Sequence, residues 1–138
     1  MVTKSAGETK KFGQEFGSKL KGGEVLALVG DLGAGKTTFV QGLARGLGIE
    51  SRIVSPTFIL MRKYGHFYHI DLYRLEGDVW PEVQNLGVEE VWTNPENVAV
   101  IEWAEKVEEH LPPNTIWVKF KDLGGDKREI EILDNTYR

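Results

Sequence analysis

An α/β fold, with three layers built around a mixed, mainly parallel central sheet and an antiparallel hairpin at its edge, is predicted by three features of the sequence. Two runs, Val25–Val29 and Val98–Ile101, are apolar throughout, as strands buried on both faces require. The first breaks into a glycine-rich turn and then a helical pattern, the strand–turn–helix order of a layered α/β domain. Near the end, Thr115–Phe120 and Arg128–Leu133 alternate polar and apolar residues around Gly124-Gly125, which predicts a hairpin with one open face.

Each element has a local cause. Ser5-Ala6-Gly7-Glu8 has the form of a capping box, and Phe12, Phe16 and Leu20 recur every fourth residue, so a first helix is expected from about Gly7 to Lys19. Lys21-Gly22-Gly23 ends it and feeds the Val25–Val29 strand. Beyond the turn, Phe39, Val40, Leu43, Ala44 and Leu47 make the stripe of a second helix, which Gly46 and Gly48 should stop. Phe58–Tyr64 and Phe67–Tyr73 are rich in β-formers, and Gly65-His66 joins them as a tight turn. In the acidic stretch Gly77–Trp92, Pro81 can open a short helix that Gly87 closes. Glu102 ends the Val98–Ile101 strand, and Ala104–Leu111 forms a short helix stopped by Pro112-Pro113.

At 138 residues the chain is expected to form one domain, residues 1–138, with a sizeable core. The formal net charge of -4 and the pI of about 5.4 lack the basic footprint of a protein that grips nucleic acid by its phosphates. If RNA is involved, a partner should hold it. There is no cysteine, which excludes disulfides, zinc–cysteine sites and thiol catalysis. No run of about 18 apolar residues occurs, so a membrane span is not expected, and a cytoplasmic protein is.

Gly30, Gly35, Lys36 and Thr37 fall on the spacing of a Walker A loop, G-x-x-x-x-G-K-[ST], between a strand and a helix. The fold is therefore expected to be P-loop NTPase-like. Glycines let successive amides turn inward as an anion-binding nest, and the helix that follows adds its positive N-terminus. Asp31, Leu32, Gly33, Ala34, Gly35, Lys36, Thr37 and Thr38 are the expected nucleotide-binding residues. The Lys36 ammonium suits the β- and γ-phosphates, and the Thr37 hydroxyl suits Mg²⁺, a hard cation that keeps most of its waters.

Such a loop needs an acid to complete the metal site and orient water. Glu102 is the best candidate, since four apolar residues followed by an acid is the Walker B form and delivers the carboxylate to the sheet's ligand edge; the alternative is an acid that simply emerges into solvent where its strand ends. Asp71 ends His69-Ile70-Asp71 and could reach the same crevice, or only close a turn. The loop Ser55-Pro56-Thr57-Phe58 either senses a γ-phosphate or simply connects two elements. Arg74 is a phosphate contact or an ion-pair partner. His66 and His69 have no companions in a metal-ligand pattern and read as packed or exposed histidines. Trp80, Trp92, Trp103 and Trp117 read as core, with Trp103 adjoining Glu102.

A small-molecule kinase would carry an arginine-rich lid, but no arginine lies between Arg74 and Arg128. A GTPase would carry N-K-x-D, which Thr93-Asn94-Pro95-Glu96 does not match. A small accessory ATPase is favoured, leaving the kinase and a non-hydrolysing nucleotide-dependent binding module as alternatives.

Gly30-Asp31-Leu32-Gly33-Ala34-Gly35-Lys36-Thr37-Thr38, Ser55-Pro56-Thr57-Phe58, His69-Ile70-Asp71-Leu72-Tyr73-Arg74 and Ile101-Glu102-Trp103 occur in this order, and together they resemble the TsaE (YjeE) family over nearly the whole chain. The resemblance implies a bacterial ATPase required to form threonylcarbamoyladenosine (t6A) beside the anticodon of tRNA, in partnership with TsaB and TsaD, tRNA being touched only through that complex. It also implies Mg²⁺ held by Thr37 and Glu102, a role for Asp71 in hydrolysis, switch behaviour for Ser55–Phe58, and residues near Thr9 bordering the adenine. The Gly65-His66 turn is shorter than the loop the family often has there. The mechanism expected is water attack on the γ-phosphate with Lys36, Asp71 and Glu102 as the catalytic residues. Turnover by the isolated chain should be slow, since no arginine stands out to complete the site.

Overall fold

The computed structural model describes residues 1–31, 33–53 and 60–133. Within them lies one seven-stranded sheet: β1 (Val2–Thr3), β2 (Val25–Val29), β3 (Met61–Tyr64), β4 (Phe67–Asp71), β5 (Val98–Glu102), β6 (Ile116–Gly124) and β7 (Lys127–Leu133). Its order is β1-β7-β6-β2-β5-β4-β3. The central strands β6, β2, β5 and β4 are parallel, whereas β1 against β7, β7 against β6 and β3 against β4 are antiparallel. The expected mixed, mainly parallel sheet and its C-terminal hairpin are present. A short strand not read from the sequence, β1, extends the sheet beyond the hairpin.

Helices cover both faces: α1 (Ala6–Gly17), α2 (Lys36–Gly46), α3 (Trp80–Asn85), α4 (Val88–Thr93) and a 3₁₀ helix over Ala104–His110. Alternation along β2 divides the core. Leu26 and Leu28 join the cluster under α1 and α2, and Val25 and Ala27 join the cluster on the opposite face with Val83, Val91 and Val107.

Helix α1 begins as expected, with the Glu8 N–H donating to Ser5 Oγ at 3.1 Å, while Glu8 Oε1 accepts from the Lys4 N–H at 2.9 Å. On α2, Phe39 is fully buried with ring centroids 6.0, 6.1 and 5.4 Å from those of Phe12, Phe16 and Phe120. Truncating such a ring to alanine costs about 3–5 kcal/mol, so this contact fixes the helix that follows the glycine-rich turn.

The two helices approach much more closely than their apolar stripes suggest, because Gly13 and Gly17 lie against the carbonyls of Phe39 and Leu43, and Gly42 and Gly46 against those of Lys10 and Gln14. A Cβ built at Gly42 would lie 1.9 Å from the Lys10 carbonyl oxygen, and one at Gly46 would lie 2.2 Å from that of Gln14. Glycine here serves close approach of backbones inside helices, as well as ending α2 at Gly46 as expected.

One reading needs correction, and one is refined. Gly87, at φ 80°, does not simply close the Pro81 helix, which ends at Asn85; it opens a second helix, α4. The segment after Glu102 is 3₁₀ with a non-helical Val107 at φ -129°, ψ 25°, so its apolar residues meet the sheet without an α-helical period.

Candidate functional site

Strand β2 ends in the cleft, and the chain returns through the glycine-rich turn into α2. Gly35, the residue before the helix, has φ 97° and ψ 8°, a left-handed conformation that suits glycine; the Phe39 N–H donates to its carbonyl at 2.9 Å. Lys36 and Thr37 therefore occupy the first turn of α2, where unpaired amides and the helix dipole favour an anion.

Beside the loop lies a cavity of about 310 Å³ lined by Thr9, Gly33, Gly35, Lys36, Thr37, Thr38, Asp71, Arg74, Glu102 and Trp103 among others. These expected residues come from α1, the loop, α2, β4, β5 and the segments just beyond β4 and β5. Asp31 and Ala34 do not line it. Ala34 is buried in the core and its N–H donates to the Asp31 carbonyl at 3.1 Å, so this pair closes the turn. Leu32 and the loop Ser55, Pro56, Thr57 and Phe58 lie outside the described residues.

Glu102 and Asp71 are paired in register at the carboxyl ends of parallel β5 and β4. Partners in register project to the same side, here toward α2, because Val100, two residues before Glu102, packs in that helix's cluster. Glu102 is only 3 % exposed. Asp71 is half-buried, and its Oδ1 accepts the Tyr73 N–H at 3.0 Å. The turn after it is pinned by Lys106, whose Nζ donates to the carbonyls of Leu72, Tyr73 and Leu75 at 3.0, 3.0 and 2.6 Å.

Lys36 is 5 % exposed, donates to the Gly30 carbonyl at 2.5 Å, and holds its Nζ 4.0 Å from the centroid of the Trp103 ring. Burial lowers the pKa of this ammonium below 10.5, opposed by the negative charges of Glu102, Glu105, Asp71 and Asp31. Trp103 is the one non-glycine residue at positive φ among the described residues, at φ 60° and ψ 37°. A left-handed conformation costs a side chain of this kind about 1–3 kcal/mol. The strained turn lays the ring against both Lys36 and Tyr73, whose ring centroid is 5.3 Å away. Trp103 thus packs against the core as expected and also forms part of the site's wall, while Trp117 is buried as expected.

Sequence reasoning missed Arg128. Although no arginine stands out by motif, both Arg74 and Arg128 line the cavity. Arg128 on β7 donates to the Gly33 carbonyl at 2.9 Å, to Asp122 Oδ1 at 3.0 Å, and to the carbonyls of Gly125 and Lys127 at 2.7 and 2.9 Å. Its tie to Gly33 spans 95 positions, so no local signal could have disclosed it. Thr9 is buried, and its hydroxyl is 2.6 Å from that of Thr3 on β1; its Cγ2 is the part that lies near Gly35, 3.7 Å from a Cβ built there.

One hydroxyl, Thr37, and one carboxylate, Glu102, fit a magnesium ion that retains water and shares phosphate oxygens. Among the described residues there is no group of three or more His, Cys, Asp or Glu that could hold a metal unaided. The donor set suits an ion arriving with a nucleotide.

Comparison with known proteins matches residues 3–130 to the family described as "Threonylcarbamoyl adenosine biosynthesis protein TsaE". The Bacillus subtilis "tRNA threonylcarbamoyladenosine biosynthesis protein TsaE" is 41% identical over 136 residues, covering 94% of this chain and 83% of that protein. The Treponema pallidum protein of the same name is 40% identical over 134 residues, covering 95% and 97%. Among solved structures, the crystal structure of Bacillus subtilis YdiB superposes with a TM-score of 0.77 at 38% identity, covering 94% of this chain and 80% of that one.

Proposed function

The chain belongs to the TsaE family, and from that premise we propose that it is an ATPase subunit required for formation of t6A on tRNA. It acts with TsaB and TsaD in the cytoplasm and meets tRNA only through that complex. Its residues 1–138 work as a single P-loop ATPase domain, by Mg²⁺-dependent binding and hydrolysis of ATP. The observation that carries the reading is the convergence of Lys36, Thr37, Asp71 and Glu102 on one cavity at the carboxyl end of the parallel strands.

Thr37 and Glu102 hold the magnesium ion, which supplies charge neutralisation at the β- and γ-phosphates. Gly33, Gly35 and Thr38 offer backbone amides to the phosphates, and Lys36 leaves the Gly30 carbonyl to meet the charge that develops on the γ-phosphoryl oxygens. Asp71 orients the attacking water, giving ADP and inorganic phosphate. Thr9 borders the adenine, Arg74 and Trp103 bound the phosphate end, and Ser55, Pro56, Thr57 and Phe58 act as the switch loop. Hydrolysis by the isolated chain is slow because Arg128 is committed to acceptors of its own hairpin and loop, leaving completion of the site to the partners. The acidic balance of the chain accords with a partner handling the RNA.

The test is phosphate release with and without TsaB and TsaD, paired with assay of the modified nucleoside. Release that requires a phosphorylatable metabolite would favour a kinase instead. Thermal stabilisation by ATP without phosphate release, partners present, would identify a binding module.

A further inference from the structure

His69 has no part in the reaction just described, yet it is fully buried, with Nε2 2.6 Å from Glu102 Oε2. On β4 it precedes Asp71 by two residues and stands opposite Val100 of β5, so it projects to the same face as Asp71, one pleat further from the strand end. From there the imidazole reaches sideways to the carboxylate. Its Nδ1 has no hydrogen-bond partner among the described residues. A buried N–H without an acceptor leaves a strong donor desolvated, so the tautomer that fits carries its proton on Nε2, donated to Glu102. Packing alone does not call for this residue type: an aliphatic side chain would fill the volume with no polar atom to leave unmet.

We propose that His69 is a positioning residue for the divalent cation. By holding Oε2 it fixes the rotamer of Glu102 and leaves Oε1 as the ligand atom, so that no conformational freedom of the carboxylate is lost when the ion binds. The proposal rests on the reading of Glu102 as a magnesium ligand. It separates two tasks on neighbouring strands: Glu102 touches the ion, and His69 acts only through Glu102.

The test measures thermal stabilisation by ADP while MgCl₂ is titrated, a readout independent of turnover. In His69→Leu, stabilisation by ADP alone should match the unsubstituted protein, while the magnesium midpoint rises by about 10–100-fold, the usual cost of losing a group that orients a metal ligand. His69→Gln, whose amide nitrogen can occupy the place of Nε2, should restore the midpoint. If His69→Leu does not fold, His69→Asn, whose amide is too short to reach Glu102, replaces it in the comparison with His69→Gln. A folded His69→Leu protein with an unchanged midpoint overturns the proposal, as does a His69→Gln protein no better than the variant lacking the donor. If magnesium has no effect on the unsubstituted protein and Glu102→Ala behaves identically to it, the reading of the metal site itself fails and takes this proposal with it.

Discussion

Asp71 and Glu102 stand directly opposite each other as the last residues of two adjacent parallel strands. Both carboxylates raise the pKa of Lys36 against the effect of burial, so the pair already acts on the cation that would meet a triphosphate. Their surroundings differ. Glu102 is buried against His69, whereas Asp71 is half-buried beside the turn that carries Tyr73 and Arg74.

That difference predicts a division of labour. Glu102→Gln should raise the magnesium concentration needed for nucleotide-dependent stabilisation, with little change in the absence of the ion. Asp71→Asn should leave magnesium–nucleotide affinity intact and slow phosphate release by about 100-fold or more, as loss of a group that handles the attacking water does. Binding titrations and single-turnover phosphate release distinguish the two, and the reverse pattern would exchange the roles.

The contact of α1 with α2 predicts a strong position effect among glycines. Gly42→Ala places a methyl group where the Lys10 carbonyl stands, so the helices must separate beneath the phosphate loop. The expected loss is about 1–3 kcal/mol of stability, despite the gain in helix propensity. Gly7→Ala is the control, since the nearest atom to a Cβ there is Ser5 Oγ at 3.8 Å; it should be neutral or stabilising by up to about 1 kcal/mol. Chemical denaturation of both variants checks the contrast.

Arg128 predicts a third outcome. Its guanidinium joins the β6–β7 turn to Gly33 and places positive charge on the cavity wall. Arg128→Lys keeps the charge but loses the fork that serves several acceptors at once. Nucleotide affinity should fall by about tenfold in Arg128→Ala and by less in Arg128→Lys, with the magnesium midpoint unchanged in both, because Arg128 acts through the Gly33 carbonyl that it holds in the loop, and a hydrogen bond from a charged group is worth about 1.5–3 kcal/mol. Calorimetric titration with ADP gives both quantities; a shifted magnesium midpoint would contradict the assignment.

Such contrasts mark where the sequence is informative. Val25–Val29, the Walker spacing and the acid closing Val98–Ile101 were legible because each is a local pattern, contained in a few consecutive residues. The glycines of α1 and α2 were not, because glycine in a helical pattern reads as a stop until the partner helix is known. β1 was too short to show a period, and the 3₁₀ helix after Glu102 has apolar residues that pack without following 3.6. Trp103 read as core by composition and packs there, but its left-handed backbone also turns the ring toward Lys36. His69 reads from sequence as either packed or exposed, and the fold buries it; its partner, 33 positions away on another strand, could not be read from spacing.

The environment of Lys36 gives the last prediction, with a definite sign. Burial lowers its pKa in the folded protein below the ordinary 10.5 of the unfolded chain. Between the two values the unfolded chain binds a proton that the folded chain does not, so nucleotide-free stability should rise with pH across that window. A bound triphosphate acts oppositely, since phosphate oxygens favour the ammonium. Above the lowered pKa, nucleotide binding must therefore take up a proton, and affinity should fall as pH rises, by up to about tenfold per unit. Lys36→Met should abolish both dependences, since it removes the titrating group, and nucleotide should no longer stabilise the protein. Calorimetry in buffers of different ionisation enthalpy measures the proton uptake directly. Proton release on binding in the alkaline range would show that the ammonium of Lys36 does not meet the phosphates.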